Sequence, residues 1–141
     1  MGASNLTDLL ARLEAAEGAD RELGFQVICA ALGGEYLGLC NSETLSLGYK
    51  MRLPNRVVCS SLVAGDEADV TASLDASLGL VERVLPGWKW GLDTFGSGES
   101  QLPFAMLWLS DERHEWARAP TPALAMLCAM VKALVAQHAA G

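Results

Sequence analysis

Residues 71 to 90 read Thr71-Ala-Ser-Leu-Asp75-Ala-Ser-Leu-Gly-Leu80-Val-Glu-Arg-Val-Leu85-Pro-Gly-Trp-Lys-Trp90, and this stretch decides the fold. Thr71 or Ser73 can cap a helix, and Asp75 falls in its first turn, where the positive end of the helix dipole favours an acid. Leu74, Leu78, Val81 and Leu85 recur on one face. Pro86 cannot continue that helix, and Gly87 turns the chain. Trp88, Trp90 and Leu92 then alternate with Lys89, Gly91 and Asp93, the period of two that marks a half-buried strand. Gly79 weakens the helix by about 1 kcal/mol relative to alanine, which predicts close packing against a sheet at that point. The stretch holds no nucleophile beside a base, no metal-ligand spacing and no phosphate loop, so it speaks of architecture rather than chemistry.

Working outward, Phe104-Ala-Met-Leu-Trp-Leu109 reads as the return strand of a hairpin whose flexible loop is Gly96-Ser-Gly-Glu-Ser-Gln101. It is apolar at every position, which predicts a central strand covered on both sides. Asp111 to Arg118 is polar around Trp116 and reads as a surface connection. Thr121-Pro122 is a cap followed by proline at the first helical position, and Leu124, Leu127, Cys128, Val131, Leu134 and Val135 carry a helical stripe to the end. On the other side, Leu6, Leu9, Leu10 and Leu13 predict a helix over 5–16, capped by Ser4 or Asn5 and ended by Gly18. Asp20 caps a second helix over 21–32, stopped by Gly33-Gly34. These two helices are expected to pair.

Between Glu35 and Asp69 the periodicity weakens. Tyr36 to Leu39 and Leu45 to Leu47 alternate briefly, a hairpin over about 47–63 turns at Pro54-Asn55, and Gly65 to Asp69 reads as an exposed linker. The whole chain, 1–141, is therefore expected to be one α+β domain, a largely antiparallel sheet covered by helices (an α-β-α sandwich). The expected order is α-α-β-β-α-β-β-α, unlike a doubly wound nucleotide fold.

With 141 residues, 51% of them hydrophobic and 19% charged, and a mean hydropathy of +0.24, the chain can build a core without staples. It contains no unbroken apolar run of membrane-spanning length, and no membrane association is expected. The first residues lack a basic region followed by an apolar one, so no secretory signal is expected and cytoplasmic residence is the simplest inference. A formal charge of −7 weighs against duplex nucleic acid, which requires a dominant positive face. Cys29, Cys40, Cys59 and Cys128 are far apart with no Cys-x-x-Cys, and read as buried small hydrophobes. No metal site and no cofactor is expected. The high apolar fraction points to a homo-oligomer.

His114 and His138 have no serine or cysteine partner at a recognisable spacing, so no catalytic residue is assigned and an enzyme is not expected. Trp88, Trp90 and Trp108 sit on alternating strands and are expected to face the core or the sheet. The segment Tyr49-Lys-Met-Arg52-Leu-Pro-Asn-Arg56 carries three positive charges and no acid inside an acidic chain. Arginine forks match phosphate or carboxylate, so Lys50, Arg52 and Arg56 can hold a small anionic ligand with Tyr49 or Trp116 stacking on it. The plainer account of those charges is a hairpin edge kept from pairing with other edges.

Two phrases also carry a resemblance: Thr71-Ala-Ser-Leu-Asp75-Ala-Ser-Leu-Gly-Leu-Val, running on to Gly87-Trp-Lys-Trp90, and Ala119-Pro-Thr-Pro-Ala-Leu-Ala-Met-Leu-Cys128. Together they resemble the phage α-β-α sandwich domain family, whose members pair a Thr-x-Ser-Leu-Asp-Ala-Ala-Leu helix start, a Gly-Trp-x-Trp strand and a Thr-Pro-Ala-Leu-Ala-Leu-Cys helix. The likeness covers 71–135 and, more loosely, 6–33, while 35–69 departs from it. It implies a phage-derived accessory protein, of a kind that sequesters a host signal or blocks a host protein to counteract defence. The expected function is thus non-enzymatic binding of a small anionic, nucleotide-like ligand or a host protein. The competing expectation is a structural or protein–protein module with no small-molecule ligand.

Overall fold

The structure is a computed structural model that describes residues 2–18, 20–40, 48–53, 56–61, 70–71, 73–93 and 102–140. In chain order its elements are α1 (Gly2–Ala15), α2 (Arg21–Ala31), β1 (Glu35–Cys40), β2 (Gly48–Leu53), β3 (Arg56–Ser61), α3 (Leu74–Val84), β4 (Lys89–Asp93), β5 (Phe104–Trp108), β6 (His114–Arg118) and α4 (Pro122–Ala140). The α+β class is as expected, and so is the order of helices and hairpins. The strands divide into two antiparallel sheets, β1-β2-β3 and β4-β5-β6, so each expected hairpin carries a third strand.

α4 is the element that α1, α3 and the second sheet pack around. Pro122 takes the first helical position, and the Leu124 N–H donates to Thr121 Oγ1 at 3.2 Å, the cap that the sequence announces. Every residue from Ala123 to Val131 is buried. A helix apolar all round needs cover on all sides, and this one receives it from α1, from α3 and from the second sheet. Averaged over its length, Pro122–Ala139 is nevertheless long and apolar enough to cross a membrane by length and composition, with mean hydropathy 1.4. Lys132 and Gln137 break the apolar run without lowering its average far enough. Within this fold the stretch is the core helix, 61% buried.

Ser73 caps α3, accepting from the Ala76 N–H at 3.2 Å. The buried face is Ser77, Leu80, Val81 and Leu85, rotated from the expected stripe so that Leu74 and Leu78 are only partly covered. α3 rests on α4 rather than on a sheet. Gly79 is exposed, and a Cβ there would meet nothing within 4 Å, which overturns the expectation of close packing. Thr71 is buried and serves a different purpose from capping: its Oγ1 accepts the Asp20 N–H at 2.7 Å. Asp20 in turn caps α2 by accepting from the Leu23 N–H at 3.1 Å. Gly33, at φ 76°, ends α2 in the left-handed turn the sequence predicts, with the Gly34 N–H on the Cys29 carbonyl at 2.6 Å. α1 begins at Gly2, ahead of the expected caps Ser4 and Asn5. It packs on α2, where Arg12 donates to Gln26.

The first sheet lies against α2 and the second against α4. β2 and β3 pair from Gly48↔Ser61 to Leu53↔Arg56, and β4 and β5 from Lys89↔Trp108 to Asp93↔Phe104. Asp111 to Arg118, expected as a surface connection, is a turn at 109–113 followed by the strand β6. β6 is an edge strand with one covered side chain, Ala117, so its sequence looks polar throughout. The pieces expected at Leu45 to Leu47, Gly65 to Asp69 and Gly96 to Gln101 lie outside the described residues.

Candidate functional site

The register of the second sheet sorts its residues onto two faces. Leu92, Ala105 and Ala117 stand opposite one another, as do Trp90, Leu107 and Glu115, and this is the α4 side. Ala105, Leu107 and Ala117 are buried there. The other side carries Gly91, Met106 and Trp116 in one row, with Asp93, Phe104 and Arg118 and then Lys89, Trp108 and His114 in the flanking rows. On that side Phe104, Met106 and Trp108 are half-buried and Trp116 is 52% exposed. The central strand β5 was expected to be covered on both sides, yet among the described elements the helix that packs on this sheet is α4, on one side.

Trp116 and Phe104 form a tilted pair, centroids 5.6 Å apart and planes at 34°. The Arg118 guanidinium carbon lies 5.0 Å from the Phe104 centroid, and Lys132 Nζ lies 5.5 Å from that of Trp116. Lys132 reaches from α4 around the sheet edge and donates to the Trp116 carbonyl at 3.1 Å. Arg118 reaches the Leu102 carbonyl at 3.4 Å. Gly91 keeps the centre of this face low: a Cβ there would already be in contact with the Trp108 ring at 3.5 Å. A half-exposed indole beside a second ring and two cations can stack on a planar group and meet a negative charge next to it.

The residues singled out from the sequence are divided between the two sheets. Tyr49, Lys50 and Arg52 lie in β2 and Arg56 opens β3, whereas Trp116 lies in β6. In the β2–β3 register Arg52 stands opposite Val57 and Arg56 opposite Leu53, so position 56 is out of phase with positions 50 and 52 on the pleat. Arg52 is exposed, engaged by another group of the protein, and aligned with Glu35 across the β1–β2 ladder. Phe104, Arg118 and Lys132 were missed. The first two were legible as out-of-phase members of alternating strands; Lys132 arrives from a helix, and no local pattern announces it.

Trp88 is partly covered and packs against the core, as expected, but Trp108 is half-buried on the outer face and Trp90 is 44% exposed. It occupies an α4-side position on the edge strand β4, where the helix gives little cover. His114 is exposed, with Nδ1 2.9 Å from the Asp111 carbonyl, and His138 sits in the last turn of α4. Cys29 and Cys128 are buried free thiols. Burial pushes Cys29 up to about 11, outweighing a backbone hydrogen bond. Burial also pushes Cys128 up to about 11, with Glu14 acting in the same direction and Lys132 against it. Both are therefore poor nucleophiles at neutral pH. Among the described residues no three His, Cys, Asp or Glu side chains gather to hold a metal ion.

Comparison with known proteins gives no matching family model, no matching curated protein and no matching solved structure.

Proposed function

We propose that this chain is a non-enzymatic binding protein that takes a small anionic, nucleotide-like ligand on the outer face of the second sheet. Trp116 and Phe104 stack on the planar part of that ligand, and Arg118 and Lys132 meet its charge. The observation that supports this reading is the half-exposed Trp116 ring, 5.6 Å from Phe104 and 5.5 Å from a lysine ammonium. With a formal charge of −7, the chain as a whole repels polyanions while this patch attracts a small anion, which selects against duplex nucleic acid. The basic segment with Tyr49, Lys50, Arg52 and Arg56 lies on the other sheet and is the competing location for the anion. The resemblance to the phage family supplies a setting: an accessory protein that sequesters a host signal in the host cytoplasm.

Titration with a panel of cyclic and linear nucleotides, followed by melting temperature, tests this reading, because a ligand that binds only the folded state raises the midpoint by mass action. The shift is expected to vanish in the Trp116→Ala, Arg118→Ala double variant and to survive Arg52→Ala with Arg56→Ala. The reverse pattern moves the site to the first sheet. No shift with any nucleotide sinks the reading.

A second reading, a protein–protein module, draws support from the exposed Trp90, Leu102, Leu109 and Trp116, at 44%, 39%, 46% and 52%. It includes self-association as a homo-oligomer. Sizing chromatography checks it: elution at monomer mass over a wide concentration range removes the homo-oligomer.

A further inference from the structure

The last two turns of α4 present Ala133 and Ala136, three residues apart and hence on one side of the helix. Trp88, just ahead of β4, does not fill the room these small residues leave, and a cleft of about 510 Å³ remains. That volume lies within the roughly 300–1,000 Å³ of small-molecule sites. The turn between β5 and β6 adds Glu112 and Arg113, the start of β6 adds His114 and Glu115, and Gln137 of α4 completes the lining. Glu115 is half-buried opposite the fully buried Leu107, hence on the α4 side of β6. Two residues on, Ala117 is covered by the core; Glu115 instead opens into the cleft beside the indole. Among the described residues, no ion pair engages Glu112, Arg113 or Glu115.

We propose that this cleft binds a small apolar α-amino acid as its zwitterion. Glu115 and Glu112 hold the ammonium, supported by the partial negative charge at the carboxyl end of α4. Arg113 takes the carboxylate through its fork. The side chain of the amino acid lies on Trp88 and fills the space over Ala133 and Ala136. This assignment is independent of the nucleotide reading, since Glu115 and Trp116 point to opposite sides of β6.

The test is binding of L-phenylalanine and L-leucine to the full chain, followed by NMR chemical shifts of the Trp88 indole, with phenethylamine and hydrocinnamate as probes that each lack one charge. Saturable binding of the amino acids is expected, with each single-charge probe about tenfold weaker or worse. Glu115→Gln and Arg113→Gln are each expected to weaken binding about tenfold. Ala136→Phe, at an exposed position, fills the cleft and should abolish binding while the melting temperature is kept. The proposal is overturned by absence of saturable binding of both amino acids, by phenethylamine binding as tightly as L-phenylalanine, or by binding that survives Ala136→Phe.

Discussion

At its covered centre the α4 side of the second sheet carries Ala105, Leu107 and Ala117, with Trp90, Leu92 and Glu115 on the edge strands, whereas the other side carries Phe104, Met106, Trp108 and Trp116. The smaller side chains are the buried ones, and the larger ones are half-exposed. Size alone would place them the other way round, because the largest apolar side chains gain most from leaving water. The small inner residues let a helix that is apolar all round over Ala123 to Val131 lie close to the sheet, which stabilises the domain. The large outer ones present contact area that the described part of the fold leaves partly uncovered, and this difference is why the functional reading rests on the outer face.

Several substitutions can break or sharpen that contrast. Leu107→Ala, in the fully buried centre of the inner face, is expected to cost about 2–5 kcal/mol in a denaturant titration. If it costs no more than an outer-face truncation, the two faces do not differ in the way described. Ala105→Leu adds volume where the helix lies close and should destabilise by about 1–3 kcal/mol, even though it makes the chain more apolar. Trp116→Ala removes a ring pair and a cation contact from a half-exposed position, so about 1 kcal/mol is expected, alongside loss of nucleotide-dependent stabilisation. Gly79→Ala, on the open side of α3, lies away from both faces and should stabilise by up to about 1 kcal/mol.

The interior also has a pH signature. Cys29 and Cys128 have thiols raised from 9.0 to about 11 by burial. Below pH 9 both are protonated whether the chain is folded or not, and their contribution is fully present. As the pH rises from 9 through about 11 the unfolded chain ionises first, so stability should fall across that window. Replacing both with alanine or valine should flatten the curve there, and a slope unchanged by the replacement would refute the assignment.

Three helix starts were legible because their chemistry is local: Asp20, Ser73 and Thr121 each sit three residues before the amide they cap. β6 was not legible. Its neighbours are charged, its buried residue is only an alanine, and the group on its outer edge is Lys132, sixteen residues further on. The face of β5 that bears Phe104, Met106 and Trp108 was read as covered because apolar side chains announce a need for contact without saying where the contact comes from. Gly79 misled for a related reason, since a helical glycine marks either a close approach or an open surface. Of the candidate site, Trp116 and the basic run Tyr49 to Arg56 could be picked out one by one, yet which sheet each belongs to is set by pairing across distant segments.

Thr71 gives the start of α3 a hold on the start of α2. Its hydroxyl accepts the backbone N–H of the very residue whose carboxylate caps α2, while Ser73, two positions later, caps α3. An opening that separates Thr71 from Asp20 therefore loosens two helix beginnings in one event. The amides of their first turns should exchange with solvent as a single unit, at one shared opening free energy.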